Sequence, residues 1–431
     1  MVSRQTTLLL AVFFVCMQSV LPAQGWSQLQ TTNDPPARRN ASAIYDPANN
    51  RMILFGGKGS SGDLNDLWSL NLTTLLWEPI TPATQTIPAP RFTHNAMFDS
   101  LRNRMIVWSG QGSGFYNDVW AFDFATSTWE QLWANGNVPG APNIRYGTTA
   151  GFDPIERQLI NVSGFTSEGR FQDTWAFHVE SLQWSERTMS PHPVKRCLHA
   201  GCFADDRRTL VLYGGQTDGI PFLDDIWALD ADSFEWANLT PPTKPTGRHF
   251  SSIVYAGNGN VMMFGGQTAQ GVSGEVWRFS LDTNSWEILS STSPQPDARY
   301  GHVAVYVPSR NSMVVFGGFS SNIVNDTWEY SLSPVTQVEP PQTPSAFRLE
   351  QNFPNPFNPT TNFEFGIADL GFVTLKVYDL LGREVTTLVN ETLSPGVHRR
   401  TWDASAFPSG VYSYRLQSAD FVQTRTMLFL K

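Results

Sequence analysis

One pattern, copied six times, constrains this chain more than anything else in it. Each copy opens on an arginine: Arg38, Arg91, Arg145, Arg196, Arg248 and Arg299. A Gly-Gly or Ser-Gly pair follows 18 or 19 residues later, ending at Gly57, Gly110, Gly164, Gly215, Gly266 and Gly318. Then comes an acid two residues before a tryptophan: Asp66/Trp68, Asp118/Trp120, Asp173/Trp175, Asp225/Trp227, Glu275/Trp277 and Asp326/Trp328. In five copies a second tryptophan stands nine residues on, at Trp77, Trp129, Trp184, Trp236 and Trp286. The period is 50 to 55 residues. Self-similarity at such a period means that each copy is one supersecondary unit that buries its faces against its neighbours. Within a copy, apolar runs of strand length alternate with tight polar turns. In the last copy the strands are expected at Gly301–Tyr306, Ser312–Phe316 and Asp326–Tyr330, followed by a fourth. The spacing predicts four-stranded blades, and six of them predict an all-β propeller over residues 26–337.

The sixth copy lacks its second tryptophan. Nine residues beyond Trp328 stands Gln337, in a proline-rich stretch that makes a poor strand. Trp26-Ser-Gln-Leu29 resembles the fourth strands elsewhere, such as Trp129-Glu-Gln-Leu132. Trp26 also precedes Arg38 by twelve residues, as Trp184 precedes Arg196. The N-terminal strand is therefore expected to complete the last blade, closing the ring and leaving no free sheet edge. The whole pattern resembles the kelch-repeat propellers, galactose-oxidase central domains among them. The resemblance covers about residues 26–337. It implies a six-bladed kelch-type β-propeller closed by the N-terminal strand. It says little of function, because such propellers serve as enzymes and as binding platforms alike.

Beyond a proline-rich linker at 338–346 the repeat ends and a different all-β pattern begins. Phe372–Leu380, Arg383–Leu388, Gly396–Trp402, Gly410–Leu416 and Phe421–Lys431 read as strands of a small Ig-like β-sandwich over 347–431. The run from Leu349 to Thr361 (LEQNFPNPFNPTT), Val373–Val385 and Met427–Lys431 resemble the type IX secretion (Por) C-terminal sorting domain. That resemblance implies recognition of residues 347–431 by an outer-membrane secretion machine, and delivery to the surface or exterior of a Gram-negative bacterium. One departure is that the basic residue usual before the last hydrophobic pair is displaced to Arg425. At the other end, Arg4, the apolar run 8–20 and Ala23-Gln24-Gly25 read as a signal peptide over residues 1–25, the first step of a route through the periplasm. Bulky Val15 before Cys16 disfavours a lipoprotein cleavage site. No other segment is long and apolar enough to span a membrane.

The net charge of −9 disfavours nucleic acid and anionic membranes as partners. Cys197 and Cys202 read as lying in one strand, about 15 Å apart and so unpaired. A monomer without cofactor is expected.

Chemistry, if any, belongs on the face carrying the longer and more varied loops, those between second and third strands and between blades. Phe115, Tyr116, Arg170, Phe171, Phe222 and Ile323 are expected to be exposed there. The six arginines fall on the same face and admit two readings. One is a positive ring for an acidic sugar or peptide. The other is structural pairing with the six repeat acids, which is favoured because a feature present in every blade is scaffold. His94, His199 and His302 sit at one strand position in alternate blades, too far apart around a channel to share a metal ion. The adjacent Tyr-His pair of the copper radical oxidases does not occur, nor does GxSxG, HExxH or a phosphate loop. The expected function is a secreted or surface module binding an unknown protein or glycan. The alternative is a carbohydrate-active enzyme at the channel mouth: a sugar mutarotase, lyase or oxidase.

Overall fold

The computed structural model describes residues 24–289, 294–332, 347–352, 355–368, 371–393, 396–418 and 421–431. The expected signal peptide, apart from its last two residues, and the linker at 338–346 lie outside the described residues. The chain divides into two units, Met1–Ser333 and Pro334–Lys431.

The first unit holds six four-stranded antiparallel sheets among the described residues. Their innermost strands are Ser42–Asp46, Asn95–Asp99, Thr149–Asp153, Ala200–Ala204, Ser252–Tyr255 and Val303–Val307. Each contacts the next, and the last contacts the first. A cycle of backbone hydrogen bonds shows that the ring is closed. The residue two after each repeat arginine donates its N–H to its counterpart one blade back: Asn40 to Gly301, Thr93 to Asn40, Gly147 to Thr93, Leu198 to Gly147, Phe250 to Leu198 and Gly301 to Phe250, at 2.6 to 3.2 Å. All six residues have positive φ, between 48° and 64°. That conformation is easy for Gly147 and Gly301 and strained for Thr93, Leu198 and Phe250, so the ring holds those three where isolated chains would not stay. The innermost strand of the last blade accordingly starts at Val303, not at Gly301, which belongs to this cycle.

The last blade is completed by Gly25–Leu29, antiparallel to Ile323–Ser331, with Trp26 opposite Tyr330 and Leu29 opposite Thr327. Its second and third strands, Ser312–Phe319 and Ile323–Ser331, run longer than the sequence pattern suggests and bulge between Phe316 and Gly318. The outer-strand tryptophans wedge each blade against its predecessor. Trp77 meets Phe316 at 4.9 Å between ring centroids, Trp129 meets Phe55 at 5.2 Å, and Trp26 meets Phe264 at 4.7 Å. Each such ring buries roughly 4–6 kcal/mol worth of apolar surface before entropy is counted.

Cys197 and Cys202 do not share a strand. Leu198 at φ 58° breaks the chain between them, and only Cys202 lies in Ala200–Ala204. Both thiols are free.

The second unit is a sandwich of two antiparallel sheets. One joins Arg348–Leu349, Thr360–Ile367 and Gly396–Asp403; the other joins Glu384–Leu393, Gly371–Tyr378, Gly410–Ser418 and Phe421–Phe429. Period-2 alternation places Val373, Leu375 and Val377 in one core with Phe363, Phe365, Leu416 and Phe429. Arg425, the displaced basic residue, donates through Nε to the Leu349 carbonyl at 2.6 Å, tying the last strand to the opening segment.

Candidate functional site

The repeat arginines build the scaffold on which a site would stand. Arg91 donates from Nη1 and Nη2 to the two carboxylate oxygens of Asp118 at 2.7 and 2.9 Å. Its Nη1 also reaches the Ser109 carbonyl, in the Ser-Gly pair, at 3.0 Å, and its Nε the Ala89 carbonyl at 3.1 Å. Trp120 Nε1 completes the carboxylate at 2.8 Å. Blades one, three, four and six repeat these bidentate contacts on Asp66, Asp173, Asp225 and Asp326. Blade five uses Glu275, held by Arg248 through one contact at 2.8 Å. Burial tends to raise the carboxyls of Asp66, Asp225 and Asp326. The guanidinium and indole beside each outweigh it and hold them below the usual range. The glycine pair explains its own presence here. The first member's carbonyl, or that of the serine in its place, accepts from the arginine of its own blade, and the second member's N–H donates to the arginine carbonyl of the next blade, as Gly57 does to Arg91 at 2.8 Å. Gly57 has φ 101°, and a Cβ there would sit 2.8 Å from Ala41 Cβ.

All six arginines are between 0 and 1% exposed. The reading in which they form an open positive ring fails on that ground, since a ligand cannot reach them. His94 and His302 join the scaffold as well. His94 Nε2 lies 2.6 Å from Ser42 Oγ of the preceding blade, and His302 Nε2 lies 2.7 Å from Ser252 Oγ. Burial, with an arginine nearby, pushes His94, His199 and His302 down to about 3, so all three are neutral imidazoles at ordinary pH. Among the described residues no three His, Cys, Asp or Glu side chains gather as metal ligands.

The loop residues expected to be exposed are less so. Tyr116 is buried, because its loop folds back through a bridge between Gln111 and Phe115, and its ring lies 4.5 Å from the Arg91 guanidinium. Phe171 is half-buried and covers Arg145 in the same way at 4.0 Å. Both act on the scaffold. Phe222 is half-buried, its ring stacked on His249 at 5.1 Å. Ile323 is half-buried too, paired with Phe319. Phe115 stacks on Tyr146 at 5.5 Å and meets Phe165 edge-on. Arg170 lies 5.4 Å from the Phe165 ring and, with Lys195, holds Asp218.

What the sequence reading missed stands directly beside the repeated positions. The residue after each arginine bridges the residue after each glycine pair: Arg39 with Lys58, Phe92 with Gln111, Tyr146 with Phe165, Cys197 with Gln216, His249 with Gln267 and Tyr300 with Phe319. These positions lie beside the hydrogen-bonded cycle at the arginine end of the channel; the pair is Tyr–Phe in blades three and six and differs in each of the other four. Tyr300 packs on Phe250 at 5.9 Å and on Phe319 at 5.3 Å, and Arg39 Nη1 donates to its hydroxyl at 2.9 Å. Lys58 Nζ stands 4.6 Å from the Phe92 ring. Two aromatic walls, each carrying a cation, thus flank the same opening. Aligning the six copies and asking which column next to a fixed residue varies would have found them.

A family model described as the KLHDC2/KLHL20/DRC7 Kelch-repeats domain matches residues 15–193 and 155–345. The chain belongs to this kelch family. Its tail matches, over residues 351–429, the family described as the secretion system C-terminal sorting domain. Curated kelch-region relatives are distant. Putative protein tag-53 of Caenorhabditis elegans is 22% identical over 80% of this chain and 27% of its own length. Host cell factor of Drosophila melanogaster is 24% identical over 60% of this chain and 18% of its own. Adagio-like protein 1 of Oryza sativa subsp. japonica is 27% identical over 62% of this chain and 45% of its own. The kelch chain therefore spans less than half the length of these relatives. No helix among the described residues is long and apolar enough to cross a membrane.

Proposed function

We propose that the protein is an exported binding module, its kelch propeller taking a protein or glycan ligand at the arginine-end mouth of the channel. The observation that carries this is asymmetry on a symmetric frame. Arginines, acids, glycine pairs and tryptophans repeat in every blade, whereas the mouth pairs take five forms over the six blades and put aromatic rings on blades two, three, five and six, with cations on blade one. Stacked rings next to guanidinium and ammonium groups suit the faces of sugars or the side chains of a protein partner. An enzyme would instead be expected to gather non-repeated His, Glu, Arg or Tyr at one point of the mouth, so the platform reading is preferred over a mutarotase, lyase or oxidase. The sorting-domain match supports type IX export to the cell surface or beyond. A glycan and surface-protein array probed with the full chain tests the reading. Binding should weaken at least about tenfold in Phe115→Ala and Tyr300→Ala, with folding retained. Ligand turnover, or equal binding by both variants, would refute it.

A further inference from the structure

The short, uniform turns between first and second strands mark the other end of the channel, and there the cavity is wider. It measures about 860 Å³, against about 210 Å³ for the neck beside the hydrogen-bonded cycle. The residue seven after each repeat arginine stands there, and in all six blades it is aromatic: Tyr45, Phe98, Phe152, Phe203, Tyr255 and Tyr306. Tyr45 and Tyr306 donate their hydroxyls to Asn50 and Asn311 of their own turns, at 3.1 and 2.8 Å, which fixes these rings around the opening.

The rim of this funnel is not symmetric. In blades two and three the turns lift Leu101 and Ile155 into solvent, 76% and 65% exposed, directly after the cavity-lining Ser100 and Pro154. In blade four the turn instead places Asp205 on the cavity wall. The arginines of that turn are committed elsewhere, Arg207 to Asp282 and Arg208 to Asp153 and Asp232. Asp206 accepts from the Tyr255 hydroxyl. Among the described residues no cation pairs with Asp205. Its carboxyl is open to solvent at the rim, yet the walls desolvate it enough, with Asp206 and Asp153 close by, to push it up to about 6. A carboxylate in that position gains from any cation that arrives.

We propose that this turn-side mouth is a second ligand site, taking a lysine or arginine side chain presented by a peptide with apolar neighbours. The charged head meets Asp205, the long apolar stem lies against the aromatic ring, and the flanking residues rest on Leu101 and Ile155. The cavity is of the size that holds such a group. Charge complementarity selects the cation, and the apolar rim outside the mouth selects a peptide over a free amine. This site is separate from the arginine-end mouth and does not depend on the function proposed for it.

The test is fluorescence anisotropy on the full chain, using a labelled, end-blocked Leu-Lys-Leu tripeptide and two comparators with norleucine or glutamate in place of the lysine. The lysine peptide should bind at least about tenfold more tightly than the norleucine peptide. Asp205→Asn, whose side chain holds nothing in the fold, should weaken it about fivefold at unchanged thermal stability. Leu101→Ser with Ile155→Ser should weaken both the lysine and the norleucine peptides. Phe115→Ala, at the far mouth, should leave all of these values alone. No binding of the lysine peptide, equal binding of lysine and norleucine peptides, or an unaffected Asp205→Asn variant would each overturn the proposal.

Discussion

Arg91→Ala removes a guanidinium with no access to water from a carboxylate with almost none. The side chains of Arg91 and Asp118 are 0% and 6% exposed. With the arginine gone, Asp118 keeps only the Trp120 indole, and the carbonyls of Ala89 and Ser109 lose their donor. Breaking a buried ion pair from one side costs about 3–5 kcal/mol, because the remaining charge stays buried without compensation. Blade five supplies the internal control. Glu275 is 43% exposed and makes one contact to Arg248 rather than two, so water can take over the carboxylate when Arg248 is removed. The residual cost there is the Gly265 carbonyl without its donor, a weakened Thr246 carbonyl and a small cavity, about 1–3 kcal/mol. Arg91→Ala should therefore destabilise more than Arg248→Ala, by at least about 1 kcal/mol. Urea unfolding followed by tryptophan fluorescence measures this cleanly, because Trp402 is the only one of the 15 tryptophans outside the propeller. Equal losses in the two variants, or a loss below about 1 kcal/mol for Arg91→Ala, would refute burial as the source of the pair's strength.

The buried imidazoles make a second prediction, about pH. His94, His199 and His302 titrate at about 3 in the fold, against an ordinary value of 6.5. Between those values the unfolded chain takes up protons that the folded one refuses. Stability is thus full above pH 6.5 and falls as pH drops, by up to about 4 kcal/mol per pH unit for the three together. Melting curves at pH 7 and pH 5 should show the loss, and His302→Gln should reduce it by roughly a third; a flat profile over this range would contradict the burial. Deleting residues 24–29 should sharply lower the melting temperature, since it strips Trp26 from the Phe264 contact and bares an edge of Ile323–Ser331; an unchanged value would mean the strand does not close the ring. A chain ending at Ser333 should fold and remain in the periplasm of its cell, as a fractionation blot would show, and its appearance on the surface would remove the export role from the tail.

Periodic features were legible in the sequence because the ring imposes the same environment six times. Arg38 and Asp66 are 28 residues apart, and their partners in the other blades are 27 to 29 apart, so complementary charge at constant spacing announced a pair before any coordinate did. The missing sixth tryptophan announced Trp26 by the same logic. Exposure was not legible. Tyr116 belongs to a varied loop, the kind that usually faces solvent, but the bridge from Gln111 to Phe115 turns its ring onto Arg91, and no period reports a single backbone bridge. Nor was the wide end of the channel, because long and varied loops mark only the opposite face. Channel width is set instead by six strands that start locked together, Asn40 to Gly301 and onward round the cycle, and end at aromatic positions that no such cycle joins. The repeat arginine is therefore useful chiefly as a ruler. One residue beyond it lies a varied column of the six copies, at one mouth. Seven residues beyond it lies an aromatic in every copy, at the other. In a closed ring of copies, function is to be sought in columns counted from the scaffold, and in the blades that break them.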